Sequence, residues 1–138
     1  MIRVSMVEDH PIVQAGLARI VADLPDVELI TAVETIEDLG GQPVPDVLLL
    51  DLHLPGALHG LAGVRYLVDL GYRVLVVTGD DTGIDEVGDA VAAGALGYLT
   101  KQAAPTEYAA SRAPMYPRPE ATARIAAAYS VGAACLVR

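Results

Sequence analysis

The chain's 138 residues suit one domain, and a hydrophobic content of 53% is enough for a core covered on both faces, so no second full domain fits within them. The formal charge of −9, with sixteen Asp and Glu against four Arg in residues 1–100, leaves little basic surface for nucleic-acid phosphates. The single Cys135 excludes an internal disulfide and no apolar run approaches the roughly 20 residues of a membrane span, so the expectation is a cytoplasmic protein that binds neither membrane nor nucleic acid.

With neither Trp nor Phe, the core must come from Val, Leu, Ile and Ala, a mixture that suits parallel strands buried under helices. In chain order, Ile2–Val7 reads as a strand. A helix follows in which Ile12, Leu17, Ile20, Val21 and Leu24 recur at helical spacing, Pro11 is tolerated in the first turn and Pro25 ends it. Val27–Val33 is a second strand, Thr35–Leu39 a short helix and Val47–Asp51 a third strand. Gly60–Leu70 reads as a helix closed by Gly71, Val74–Thr78 as a strand, Thr82–Ala93 as a helix closed by Gly94, and Leu96–Leu99 as the fifth strand. This alternation specifies an α/β fold with a parallel sheet. Beyond Lys101, prolines at 105, 114, 117 and 119 divide the chain into a short helix to Ala113, an elbow and a helix near Glu120–Tyr129. The expected organisation is one domain over residues 1–113 and a proline-rich elbow with a helical tail over 114–138.

Polar residues gather where the strands end. The first ends in Glu8-Asp9, the third in Asp51 and the fourth in Thr78, and the fifth is followed by Thr100-Lys101. Right-handed crossovers put the C-terminal ends of parallel strands on one edge of the sheet, and ligands of such folds bind there. If the first and third strands are neighbours, three carboxylates converge, and a hard divalent cation with oxygen ligands offsets their repulsion. Lys101, the only lysine in the chain, adds a second positive charge and Thr78 a hydroxyl donor. Phosphoryl transfer asks mainly for this positioning and charge neutralisation. Each residue also has an ordinary reading: Glu8-Asp9 as a helix cap ahead of Pro11, Asp51 as a turn residue, Tyr98 as strand packing. His10, His53 and His59 lack a ligand spacing and are not read as a transition-metal cluster.

The stretches IRVSMVEDHPIVQAGL, PDVLLLDLHLPG, RVLVVTG and GALGYLTK together resemble the receiver domain of bacterial two-component response regulators over residues 2–101. The EDHP opening followed by QAGL is similar in particular to receivers of LuxR/NarL-type regulators. The resemblance implies a doubly wound (βα)5, flavodoxin-like three-layer sandwich whose five-stranded parallel sheet has the order 2-1-3-4-5. It also implies that Asp51 accepts a phosphoryl group from a sensor histidine kinase. Mg²⁺ would be held by Asp9, by Glu8 through water, by Asp51 and by the backbone carbonyl of His53. Thr78 and Lys101 would contact the phosphoryl oxygens, and Tyr98 would pack inward as Thr78 is drawn to the phosphate. That motion would remodel the face of the fourth helix, fifth strand and fifth helix, where such domains meet partners, a second copy in a homodimer among them. The implied role is that of a phosphoacceptor signalling domain in transcription regulation, not an enzyme acting on an outside substrate.

Three departures stand out. The loop PGALHG is one residue longer than the usual form, Gly79 replaces a common alanine, and proline interrupts the last helix after Ala113. Residues from Glu120 to Gly132 resemble only the first helix of a helix-turn-helix, so the chain itself is expected to bind no DNA. Two other classes compete. A haloacid-dehalogenase-like phosphatase needs a second Asp where this chain has His53, and a nucleotide- or flavin-binding module needs a phosphate loop where it has Glu8-Asp9-His10-Pro11. A receiver-like interaction module that is not phosphorylated is disfavoured by the joint presence of Asp9, Asp51, Thr78 and Lys101.

Overall fold

The computed structural model describes residues 1–78 and 84–100. Five short parallel strands, β1 (Ile2–Val7), β2 (Val27–Val33), β3 (Val47–Asp51), β4 (Val74–Thr78) and β5 (Gly97–Thr100), form one sheet of order β2-β1-β3-β4-β5. Between them run α1 (Pro11–Ala22), α2 (Gly60–Asp69) and α3 (Ile84–Ala92). The central strand β3 is buried along its whole length, which is why VLLL is unbroken by a polar residue until Asp51.

Alternate residues of each strand serve two cores. Val4, Met6, Leu49, Leu75 and Val77 pack with Leu17 and Val21 of α1 on one face. On the other, Val7, Leu48, Leu50, Val74 and Val76 pack with Val64 and Leu67 of α2 and Ala90 of α3. Such burial removes the apolar side chains from water and is the main term holding the layers together. At the edge away from the strand ends, Arg3 and Asp46 pin β1 to β3: Asp46 N–H donates to the Arg3 carbonyl at 2.8 Å and Arg3 N–H to Asp46 Oδ2 at 2.8 Å.

The expected strands recur, with the fifth shifted by one residue to Gly97–Thr100. Both glycine stops form as expected. After α2, Gly71 N–H reaches the Val68 carbonyl at 2.9 Å and Tyr72 N–H the Leu67 carbonyl at 3.0 Å, the paired bonds of a Schellman motif. Gly94 does the same after α3; its φ of +114° and a built Cβ only 2.8 Å from Val68 Cγ1 leave room for no other residue without strain.

Two expectations need correction. The helix expected over Thr35–Leu39 is a single 3-10 turn, Glu37–Leu39, because Gly40 leaves the helical region at once and Gly41 turns with φ of +79°. Only Ile36 and Leu39 of this stretch enter the core. Ile12, expected with the apolar spacing of α1, is 87% exposed; Val13 packs on the core instead, beside the expected Leu17, Val21 and Leu24. Among the described residues no helix is long and apolar enough to cross a membrane. The expected division at residue 113 and the tail over 114–138 lie outside the described residues.

Candidate functional site

The β2-β1-β3 order makes β1 and β3 neighbours, in parallel register with Val7 beside Leu50. The next residues therefore stand side by side, Glu8 just past β1 and Asp51 as the last residue of β3. Glu8 is 1% exposed and Asp51 2%. Glu8, Asp9, His10 and Asp51 offer ligand atoms that all lie within 4.8 Å of one another.

Local backbone explains the convergence. Glu8 N–H donates to the Val33 carbonyl at 2.9 Å, extending the β1–β2 pairing one residue past the strand. His10 is the N-cap of α1, and its side chain makes no cap hydrogen bond to that helix. The His10 backbone N–H donates to Glu8 Oε1 at 3.2 Å, and the His10 ring Nδ1 lies 3.0 Å from the same oxygen and 3.2 Å from Asp9 Oδ1. Asp9 Oδ1 is buried and accepts no hydrogen bond among the described residues. A buried carboxylate oxygen that lies 3.2 Å from an imidazole nitrogen yet makes no hydrogen bond among the described residues, in a group of like charges, is an arrangement a divalent cation can complete, and the oxygen-rich donor set fits a hard ion such as Mg²⁺.

Past β3, the His53 backbone N–H donates to Asp51 Oδ1 at 3.0 Å and fixes the rotation of the carboxylate. The His53 ring extends toward α3, with Nε2 3.8 Å from Glu86 Oε1, an ion pair when the imidazole is protonated. The long loop is held from the side by Glu37, whose Oε1 accepts the Leu58 N–H at 3.0 Å. Gly56 turns with φ of +98°, and a Cβ there would stand 3.0 Å from Glu37 Oε2. Hydrogen bonds from the Glu37 backbone N–H first and from Leu58 N–H second hold the Glu37 carboxyl below its usual 4.5, against opposing desolvation. A depressed folded-state pKa means that this latch is intact above 4.5 and is lost as the pH falls through the lowered value. Glu37→Ala is accordingly expected to speed hydrogen exchange at the Leu58 amide at neutral pH, and the wild-type protection there to fade on acidification; equal protection in both proteins would show that the latch is idle.

Of the residues singled out from sequence, Glu8, Asp9 and Asp51 are brought together. Thr78 closes β4 in register with Thr100, but its side chain and the whole of Lys101 lie outside the described residues. Tyr98 is partly buried and packs against the core shared by α2 and α3. His10 and Glu37 were not foreseen as parts of the site. Adjacency to the acidic pair was the only signal for His10, and nothing in sequence linked Glu37 to a loop 21 residues away.

Residues 4–111 match the response regulator receiver domain family. The chain is 34% identical over 110 residues to the response regulator GacA of Pseudomonas aeruginosa, covering 75% of this chain and 50% of that protein. It is 31% identical over 131 residues to the transcriptional regulatory protein LiaR of Bacillus subtilis, covering 91% of this chain and 62% of the relative. Among solved structures, a two-component response regulator of the LuxR family from Aurantimonas sp. superposes with a TM-score of 0.67 at 30% identity, over 80% of this chain and 81% of that one. The chain spans about half the length of GacA proteins, the first curated relatives it matches.

Proposed function

This chain belongs to the response regulator receiver domain family, and from that premise we propose that it takes a phosphoryl group from a sensor histidine kinase onto Asp51 in a Mg²⁺-dependent reaction. The observation that carries the proposal is the meeting of Asp51 with Glu8 and Asp9 across two neighbouring strand ends. An Asp51 carboxylate oxygen attacks the phosphorus of a phosphohistidine; the new O–P bond forms as the N–P bond breaks, and the imidazole leaves with a proton from solvent. The hydrogen bond from His53 N–H holds Asp51 in one rotation for that attack. Asp9 and Asp51 would hold the cation directly and Glu8 through water, with the His53 carbonyl as a further ligand. Mg²⁺, when bound, neutralises the charge that develops on the phosphoryl oxygens. Thr78 and Lys101 take the other phosphoryl oxygens.

The added charge of about −1.5 to −2 favours a second arrangement of the switch residues Thr78 and Tyr98 and so of the surface behind them. The partly buried Tyr98, at the margin of the α2 and α3 core, supports that role. The partners in this reading are the kinase and, through the remodelled face, a second copy of the chain; a cytoplasmic location follows from receiving the signal there. The acidic body binds no nucleic acid itself, and control of transcription, which the name of the LiaR relative carries, is a proposal for a whole regulator.

The test uses the protein with an acyl phosphate donor. With Mg²⁺, intact-mass spectrometry is expected to show one added phosphoryl group, labile to base; with EDTA the label is lost. Steady phosphate release from many esters would favour the dehalogenase-like phosphatase, and a folded, Mg²⁺-loaded protein that takes no label would favour the unphosphorylated interaction module.

A further inference from the structure

We propose that Glu37 is a positioning residue for phosphoryl transfer: from the 3-10 turn after β2 it steadies the loop after β3, and through the Leu52–His53 peptide unit it holds the Asp51 carboxylate in one rotation. The inference rests on the reading of Asp51 as the phosphoacceptor and adds to it a residue outside the acidic cluster.

One peptide unit joins the loop to the acceptor. The Leu52 carbonyl accepts the Gly60 N–H at 3.1 Å, and the N–H of that same unit, on His53, donates to Asp51 Oδ1 at 3.0 Å. A peptide unit is planar, so a shift of its carbonyl turns its N–H with it. The Gly60 bond therefore closes the loop at its base and also aims the donor that fixes Asp51.

Glu37 grips the same loop two residues before Gly60. Its Oε1 accepts the Leu58 N–H at 3.0 Å, and its Oε2 lies where a Cβ on Gly56 would stand 3.0 Å away. The turn that presents it is fixed in its own right: Ile36 and Leu39 are buried in the core, and Ile36 Cδ1 lies so close to α2 that a Cβ on Gly63 would stand 2.6 Å from it. Glu37 itself is exposed, so removing its side chain takes nothing from the core. A single exposed hydrogen bond adds little to the stability of the whole fold, but it restricts the one segment that ends on the acceptor. Attack on phosphorus is sensitive to small displacements of the nucleophile, which is how a contact this far along the chain reaches the rate.

The test uses the full chain with an acyl phosphate donor, at Mg²⁺ saturating for each variant. The labelling rate is followed by intact mass, and hydrogen exchange at the His53 amide by NMR. Glu37→Ala is expected to label at least about fivefold more slowly than wild type and to exchange faster at His53. Gly56→Ala, which crowds the carboxylate from the loop side, is expected to do the same, and the double variant to show less than the product of the two effects. Glu37→Gln, whose side-chain oxygen can still accept the Leu58 N–H, is expected to restore both readouts to within about twofold of wild type. Asp38→Ala, on the same turn, leaves them unchanged. Wild-type labelling and wild-type His53 exchange in Glu37→Ala would overturn the positioning role, and so would a slow rate that Glu37→Gln fails to restore. A wild type that takes no label would instead overturn the phosphoacceptor reading beneath it.

Discussion

Asp51→Asn is expected to reduce phosphoryl incorporation from an acyl phosphate donor to the background of a chain without an acceptor, the largest functional effect foreseen. The change is nearly isosteric. The amide oxygen of Asn can still accept the His53 N–H that Asp51 Oδ1 accepts at 3.0 Å, so the loop after β3 keeps its anchor. What disappears is the anionic nucleophile, and a neutral amide does not attack phosphorus in its place. Removing one of several carboxylates that lie within 4.8 Å also relieves repulsion, so the metal-free variant is expected to melt at or above the wild-type temperature. Loss of label combined with an intact melting transition separates chemistry from folding; undiminished label would place the acceptor elsewhere.

The second large effect is at Asp9. Asp9→Asn is expected to weaken Mg²⁺ by at least about tenfold, equal to about 1.4 kcal/mol, because it removes the charge of the proposed direct ligand, whose buried Oδ1 has no hydrogen bond among the described residues. For wild type, Mg²⁺ at about 100 times its Kd adds about 2.7 kcal/mol to stability, a rise of several degrees in Tm. At that same Mg²⁺ concentration the rise shrinks in Asp9→Asn, and the labelling rate falls with it. An equal Mg²⁺-dependent rise in both proteins would remove Asp9 from the ligand set.

How far the sequence alone could reach follows from the physics of each part. Parallel strands buried on both faces must be continuous apolar runs, so β1, β3 and β4 stand out as IRVSMV, VLLLD and VLVVT, and the carboxylates that end two of them are visible as interruptions. Topology then does the rest, since a β1–β3 neighbourhood places Glu8 beside Asp51 whatever the loops do. The stretch after β2 was misread because its apolar residues Ile36 and Leu39 are spaced as in a helix, while Gly40 and Gly41 end the turn after one 3-10 unit. Contacts set by the path of a loop were not legible at all. Glu37 meets Leu58 beside Gly56, which turns with positive φ, and His10 meets Glu8 and Asp9 within the short connection between β1 and α1.

Fragment mass spectrometry of the protein labelled in Mg²⁺, with the acyl phosphate trapped by borohydride reduction, tests the central claim most directly. The modified residue is expected to be Asp51 alone, within the DLHLPG segment. Label on Glu8, Asp9 or any histidine with Asp51 unmodified would contradict it.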